Sequence, residues 1–363
     1  MKKPFSALYY VKENKGRSLL IGCMFFLAAM VLLAGNYIHS SYYYWDGIFE
    51  YSETVTDIAG LPTDENFQDY AAVIADIEKD PDLIVMLNSG YSASALDWKC
   101  TLGFTMGGHC ARYNTADDLL VAFRILGYKG DFSKVHEGSV ILSRAMAANK
   151  GFQLGDVLGP EDGLHGEFTL DALIDNDVFA VFFVEKEEKN LLRAHVLSET
   201  LSGEEVRERV TQIVGSRKVK VGLPVRSDIM SQLEPINIIF YVALFMLSIV
   251  LAVSVNSVIS GHYAKRTYEF GIYRALGRTK GEIRRKCSAE IALTDAIATV
   301  VGIAAIELYT FLMNELYYIP HGQYLPYFSK LGLIGLAVAT LLVLVPTVLL
   351  RGRAMCRADV TEF

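Results

Sequence analysis

The chain has 363 residues, 52% of them hydrophobic, with 41 acidic against 34 basic side chains and a formal net charge of −7. A hydrophobic share that high excludes an ordinary soluble domain. The charge is also divided by region: residues 40–235 hold 32 Asp/Glu and 17 Lys/Arg, whereas the remainder is basic, and no basic stripe with interleaved aromatics marks the acidic part as a nucleic-acid partner.

Residues 1–17 carry Lys2, Lys3, Lys12, Lys15 and Arg17 among Phe5, Leu8, Tyr9 and Val11. This suits a short amphipathic segment on the cytoplasmic membrane face, although a disordered cationic leader fits the composition equally well. Residues 18–38 are uncharged and make a first transmembrane helix of about 31 Å. The run is longer than a signal-peptide core and lacks a clean small-residue cleavage site. Tyr42, Tyr43, Tyr44 and Trp45 follow where an interfacial aromatic belt is expected.

Residues 39–235 read as a mixed α+β extracytoplasmic domain inserted between helices 1 and 2. Its pattern predicts helices over 67–79, 115–126, 144–152 and 203–216, and strands over 83–87, 140–143, 168–174, 178–185 and 192–201. Cys100 and Cys110 bracket a Gly-rich loop. A disulfide, two free thiols, or a metal site with His109 are the alternatives there. Three more spans follow at 236–259, 291–313 and 331–350, the last with a kink expected at Pro346. Between the third and fourth, residues 314–330 hold four tyrosines and one base, Lys330, so this loop is placed outside and the tail 351–363 inside. Glu307 stands out as the charged residue well inside an apolar run, where it is expected to face protein, water or a partner.

The loop 260–290 is the most informative stretch. Between Gly261 and Glu290 it carries Lys265, Arg266, Arg274, Arg278, Lys280, Arg284, Arg285 and Lys286 against Glu269, Glu282 and Glu290, which makes it cytoplasmic by the positive-inside rule. Phe270, Ile272, Tyr273 and Leu276 recur at helical spacing as an apolar seam. Gly277 sits where that helix should end, and a second short helix should follow with Ile283 and Glu282. The run from Arg266 to Gly277, with Glu269, Gly271, Ile272, Arg274 and Ala275 in register and Glu290 before the next span, resembles the cytoplasmic loop of FtsX-like (MacB-type) ABC transporter permeases. Phe270 stands where isoleucine is commoner. Asn14 to Leu19 is similar to the family's lead-in to the first span. Val140–Ser143, Ala147 and the turn Leu154-Gly155-Asp156 resemble its large external domain.

The resemblance implies a permease subunit of the cell membrane, with four spans and both termini cytoplasmic. It also implies a separate ABC ATPase subunit docked on this loop, with Arg278 at the docking surface, and a second permease copy or paralogue. ATPase-driven motion would reach the external domain to export or extract peptides, lipoproteins or other amphiphiles, in contact with membrane lipid and an extracytoplasmic partner protein. The alternative is a mechanotransmission module regulating a cell-wall hydrolase or a membrane sensor kinase. No phosphate-binding loop, His-Glu-x-x-His or Gly-x-Ser-x-Gly occurs, so no catalytic residue, cofactor or metal is expected in this chain.

Overall fold

The computed structural model describes residues 13, 15–60, 64–91, 96–103, 105–176, 179–186, 192–223 and 225–357. Most of the basic leader, residues 1–12 and 14, and the tail from 358 onward lie outside them, as do the side chains of Tyr42–Tyr44. Contacts divide the chain into a helical unit (1–39, 235–313 and 325–363) and a sheet unit (40–234 with 314–324).

The sheet unit has the mixed α+β character expected. Strand β1 (Thr56–Gly60) pairs antiparallel with β11 (Arg193–Leu197), placing Asp57 opposite His195, and with β12 (Val219–Val221); β11 also pairs with β2 (Ile84–Leu87). Helices α2 (Asp64–Ile77) and α5 (Gly203–Val214) cover this sheet, and Val206, Val210 and Val214 of α5 supply a buried stripe at helical spacing. The start of α5 is fixed by a capping box, in which Ser202 and Glu205 satisfy each other's backbone N–H groups.

A six-stranded sheet follows the order β3-β6-β10-β7-β9-β8. Its strands are β3 (Gly90–Tyr91), β6 (His109–Tyr113), β7 (Ser139–Ser143), β8 (Val157–Leu158), β9 (Phe168–Ile174) and β10 (Ala180–Val184). Central strands β7 and β10 are buried at every position, as the apolar runs Val140–Leu142 and Ala180–Val184 require when both faces are covered. Tyr51, Phe123 and Phe182 fill one core against this sheet. Trp98, Phe179 and Phe183 fill another, together with Cys100 and Cys110. Of the alternatives for Cys100 and Cys110, the structure has both as buried free thiols. Cys100 follows strand β4 (Asp97–Lys99), which pairs with β5 (Thr105–Gly107), while Cys110 is held in β6 opposite Val181. Burial pushes the Cys110 thiol up to about 11, so it behaves as a small apolar core residue.

Residues 314–324 belong to the sheet unit rather than forming a separate loop. Asn149, in helix α4 (Arg144–Lys150), exchanges hydrogen bonds of 2.9 Å with the backbone N–H and carbonyl of Lys99, and donates to the His321 carbonyl at 3.2 Å. Gln323 donates to the same Lys99 carbonyl at 2.9 Å. Gly322 has φ +62°, and a Cβ there would lie 1.9 Å from the Ala145 carbonyl oxygen.

The helical unit is built from parts of α1 (Lys15–Thr54) and α6 (Val225–Ala264), with α7 (Thr267–Ala275), α8 (Lys280–Met313) and α9 (Lys330–Arg357). The short second helix expected after Gly277 does not exist separately, because it is the beginning of α8, continuous through Met313. Helix α6 likewise runs through Pro235, and α9 through Pro346. Small residues bring the helices into close contact. A Cβ on Gly35 would lie 2.3 Å from the Gly332 Cα, and one on Gly302 would lie 2.6 Å from the Ala29 Cβ, the packing that apolar helices use where water provides no driving force.

Candidate functional site

The stretch between α6 and α8 forms a charged hairpin whose geometry is fixed by local sequence. Helix α7 ends in a Schellman motif: Gly277, at φ +86°, donates to the Arg274 carbonyl, and the Arg278 N–H donates to the Tyr273 carbonyl at 3.0 Å. Two residues later Thr279 caps α8. Glu282 N–H donates to Thr279 Oγ1 at 3.3 Å, and Thr279 N–H donates to the Glu282 carboxylate at 2.9 Å. Arg278 also pairs with Glu282 at 3.1 Å. One helix therefore stops and another starts within four residues.

Four charges hold the hairpin from inside. Arg266, 3% exposed, grips Glu269 through two bonds of 2.7 and 2.9 Å and reaches Glu290 at 2.7 Å. Lys286 donates to the other Glu290 oxygen at 2.8 Å and stands 3.7 Å from Glu269. Tyr263 donates to Glu290 and Tyr273 to Glu269. The Arg266 guanidinium also lies over the Tyr263 and Phe270 rings. Two cations meet two anions, so the buried cluster is neutral, the condition under which burying charge is tolerable. Burial opposes ionisation of Arg266, yet the hydrogen bonds from Glu269 and Glu290 outweigh it and raise its pKa. Burial also pushes Glu269 up, but Arg266 and Lys286 hold it below the usual carboxylate range.

Arg266, Glu269 and Glu290 therefore come together as a clamp, not as an outward surface. Lys286, Tyr263 and Tyr273 complete it. Their one sequence signal is helical spacing to those charges, three or four residues away. The apolar seam expected on α7 is split. Phe270 turns inward against Ile259, Ile283 and Cys287, whereas Tyr268, Ile272 and Leu276 are 70%, 45% and 75% exposed. Ala275, Gly277 and Arg278 are exposed beside that stripe, and Gly271 and Arg274 are half-buried.

Residues 241–355 match a family model described as FtsX-like permease C-terminal. Over this range the chain is similar to the FtsX-like permeases. The family is a membrane-transport component rather than a catalytic one. Among the described residues of this segment, two helical stretches, Tyr241–Ala264 and Lys280–His321, are long and apolar enough to cross a membrane. No curated protein matches the chain. Among solved structures, a domain of a Porphyromonas gingivalis protein described as a permease candidate is similar at 8% identity, over 48% of this chain and 91% of that one. Its TM-score is 0.27, a likeness too distant to bear on fold or function.

Elsewhere in the helical unit, Glu307 accepts the Phe328 N–H at 3.4 Å, and Asn36 accepts the Ser329 N–H at 3.1 Å. Glu307 is not alone in the apolar run 291–313: Asp295 is a second carboxylate there, 5% exposed, beside the Thr299 hydroxyl. In the sheet unit, Ser139, His136 and Asp171 meet. Both the serine oxygen and the carboxylate face the same ring nitrogen, Nδ1. A hydrolytic triad needs one on each nitrogen, and Ser139 is fully buried. Among the described residues, no group of three or more His, Cys, Asp or Glu side chains is placed to hold a metal ion.

Proposed function

We propose that this chain is the membrane-spanning subunit of an FtsX/MacB-like ABC system. In this reading it has four spans, with the 266–290 hairpin facing the cytoplasm and receiving a separate ATPase subunit. The observation that carries the reading is the division of labour within the hairpin. Arg266, Glu269, Lys286 and Glu290 stiffen it internally, while Tyr268, Ile272 and Leu276 present an apolar stripe outward. A segment that receives a push needs both stiffness and a docking face. Basic residues flank the stripe and would meet acidic groups on the ATPase, and a second permease copy or paralogue completes the assembly. Motion delivered to the hairpin would pass along the spans to the sheet domain, which moves or extracts an amphiphilic load such as a peptide or lipoprotein.

The test is affinity purification of the full chain in mild detergent, with identification of co-purifying chains. An ABC ATPase should co-purify with the parent. Leu276→Glu and Arg274→Glu should each weaken that association at least several-fold while membrane insertion stays normal. An ATPase that binds both variants as it binds the parent would remove the hairpin from the docking role, and recovery of a hydrolase or sensor kinase instead would favour regulation of that partner.

A further inference from the structure

Helices α1 and α8 run side by side in the same direction, with Gly22 facing Ala298 and Phe26 facing Gly302. Between them lies an open groove of about 360 Å³, within the ~300–1,000 Å³ range of small-ligand sites. Its lining changes character along its length. At one end stand Lys15 and Ser18 with Thr294; beyond them the walls are Gly22, Cys23 and Phe26 opposite Ile297 and Val301. The distance from Lys15 to Phe26 along the helix is about 16 Å. A channel with a cation at one end and an apolar trough behind it fits an amphiphile with an anionic head and a hydrocarbon tail. The trough stays open because Gly22 has no side chain. Its Cβ would meet only Ala298, at 3.9 Å, so a larger residue there would project into the space.

We infer that this groove binds one acyl chain of an anionic phospholipid from the cytoplasmic leaflet, with its phosphate at Lys15. The inference rests on reading α1 and α8 as membrane spans, not on the ATPase docking proposed above. The lipid is a resident of the bilayer and not the load. A neutral lipid would fill the trough without using Lys15, so the charge at the mouth selects the headgroup. One lysine near an anionic surface corresponds to a preference of about fivefold.

The full chain, purified in mild detergent and stripped of lipid, is titrated with phosphatidylglycerol and with phosphatidylcholine of matched chains, and retention is read by native mass spectrometry. Phosphatidylglycerol should be retained about fivefold more strongly than phosphatidylcholine. Lys15→Gln should bring that ratio to near one without lowering phosphatidylcholine retention, and Gly22→Leu should lower both. Cys23, exposed in the groove, gives a second reading: bound phosphatidylglycerol should slow its reaction with a maleimide. Equal retention of the two lipids by the parent, or an undiminished preference in Lys15→Gln, would overturn the site. So would efficient Cys23–Cys23 crosslinking between two copies, because the groove would then be an interface. Recovery of the chain in the soluble fraction would instead refute the membrane reading.

Discussion

With Arg266 removed, Glu269 and Glu290 would share Lys286 as the one cation the clamp retains, and a buried carboxylate left without compensation costs about 3–5 kcal/mol. Arg266→Met should therefore loosen the hairpin, seen as faster amide exchange across 261–290, with no change in the fluorescence of Trp98 in the sheet unit. Arg266→Lys should rescue little, since an ammonium cannot reproduce the forked grip on Glu269. Unchanged exchange in both variants would reduce the clamp to ornament. Asp57 has the opposite acid behaviour to Glu269. Burial raises its carboxyl to about 6, only partly offset by Arg193, and its Oδ1 stands 3.6 Å from the buried ring of His195. The folded state thus holds a proton that the unfolded state has released between about pH 4 and pH 6. This carboxylate is least costly at the acid end, and its ionisation removes up to about 3 kcal/mol as pH rises through that window. Asp57→Asn should flatten this part of the stability profile, measured by unfolding of the full chain between pH 4.5 and 7.5; an unaltered slope would assign the dependence to other groups.

At the scale of elements, the contact between α1 and α9 depends on missing side chains. Gly35→Val would drive a β-branched side chain into the Gly332 backbone, with no flexible neighbour to yield, so the helices must separate. The thermal unfolding temperature of the helical unit should fall by several degrees, and Gly16→Ala, where nothing lies within 4 Å of the added Cβ, should be harmless. The sequence makes some of these elements legible and hides others for physical reasons. Helix α5 shows its capping box and apolar period, and β10 its unbroken apolar run. Strand β5 lies within a Gly-rich stretch, KCTLGFTMGGHC, that β4 and β6 overlap at its two ends; its composition says turn, and only pairing with other strands makes these segments strands. Within the hairpin, the order Thr279-x-x-Glu282 announces a helix start, and Gly277 announces a stop. What the local pattern cannot reveal is that Phe270 and Ile272, two residues apart, face opposite ways. Spacing alone draws both into one seam, and the buried charges on one side of α7 decide which apolar residues turn inward. Helix length is hidden for a related reason: charges at 280–290 suggest a loop, yet Glu290 and Lys286 are paired inside and leave the helix uninterrupted.

At the scale of the molecule, the uneven charge sets a test of orientation. A cysteine placed at Asp162 in a cysteine-free background should react with an impermeant reagent added to intact cells, and one at Lys280 should react only after lysis; the reverse result would invert the proposed topology. The sheet unit also raises a question of where a domain begins and ends. Residues 314–324 are remote in sequence from 40–234, yet they occupy the Asn149 amide and the Lys99 carbonyl and press Gly322 onto Ala145. A fragment cut at the obvious boundaries, 40–234, would be an incomplete body, with two hydrogen-bonding groups exposed to water and a bare patch over α4. Such a fragment should unfold at a lower temperature than the same fragment carrying 314–324 on a flexible linker, and a synthetic peptide of that sequence should restore part of the difference when added in trans. If all three melt together, the strip is merely resting on the surface. If they differ as expected, an interval of sequence is the wrong unit for this domain. An epitope tag or protease site inserted at 314–324 would then act on the sheet unit itself, although it lies far along the chain from that unit's apparent end.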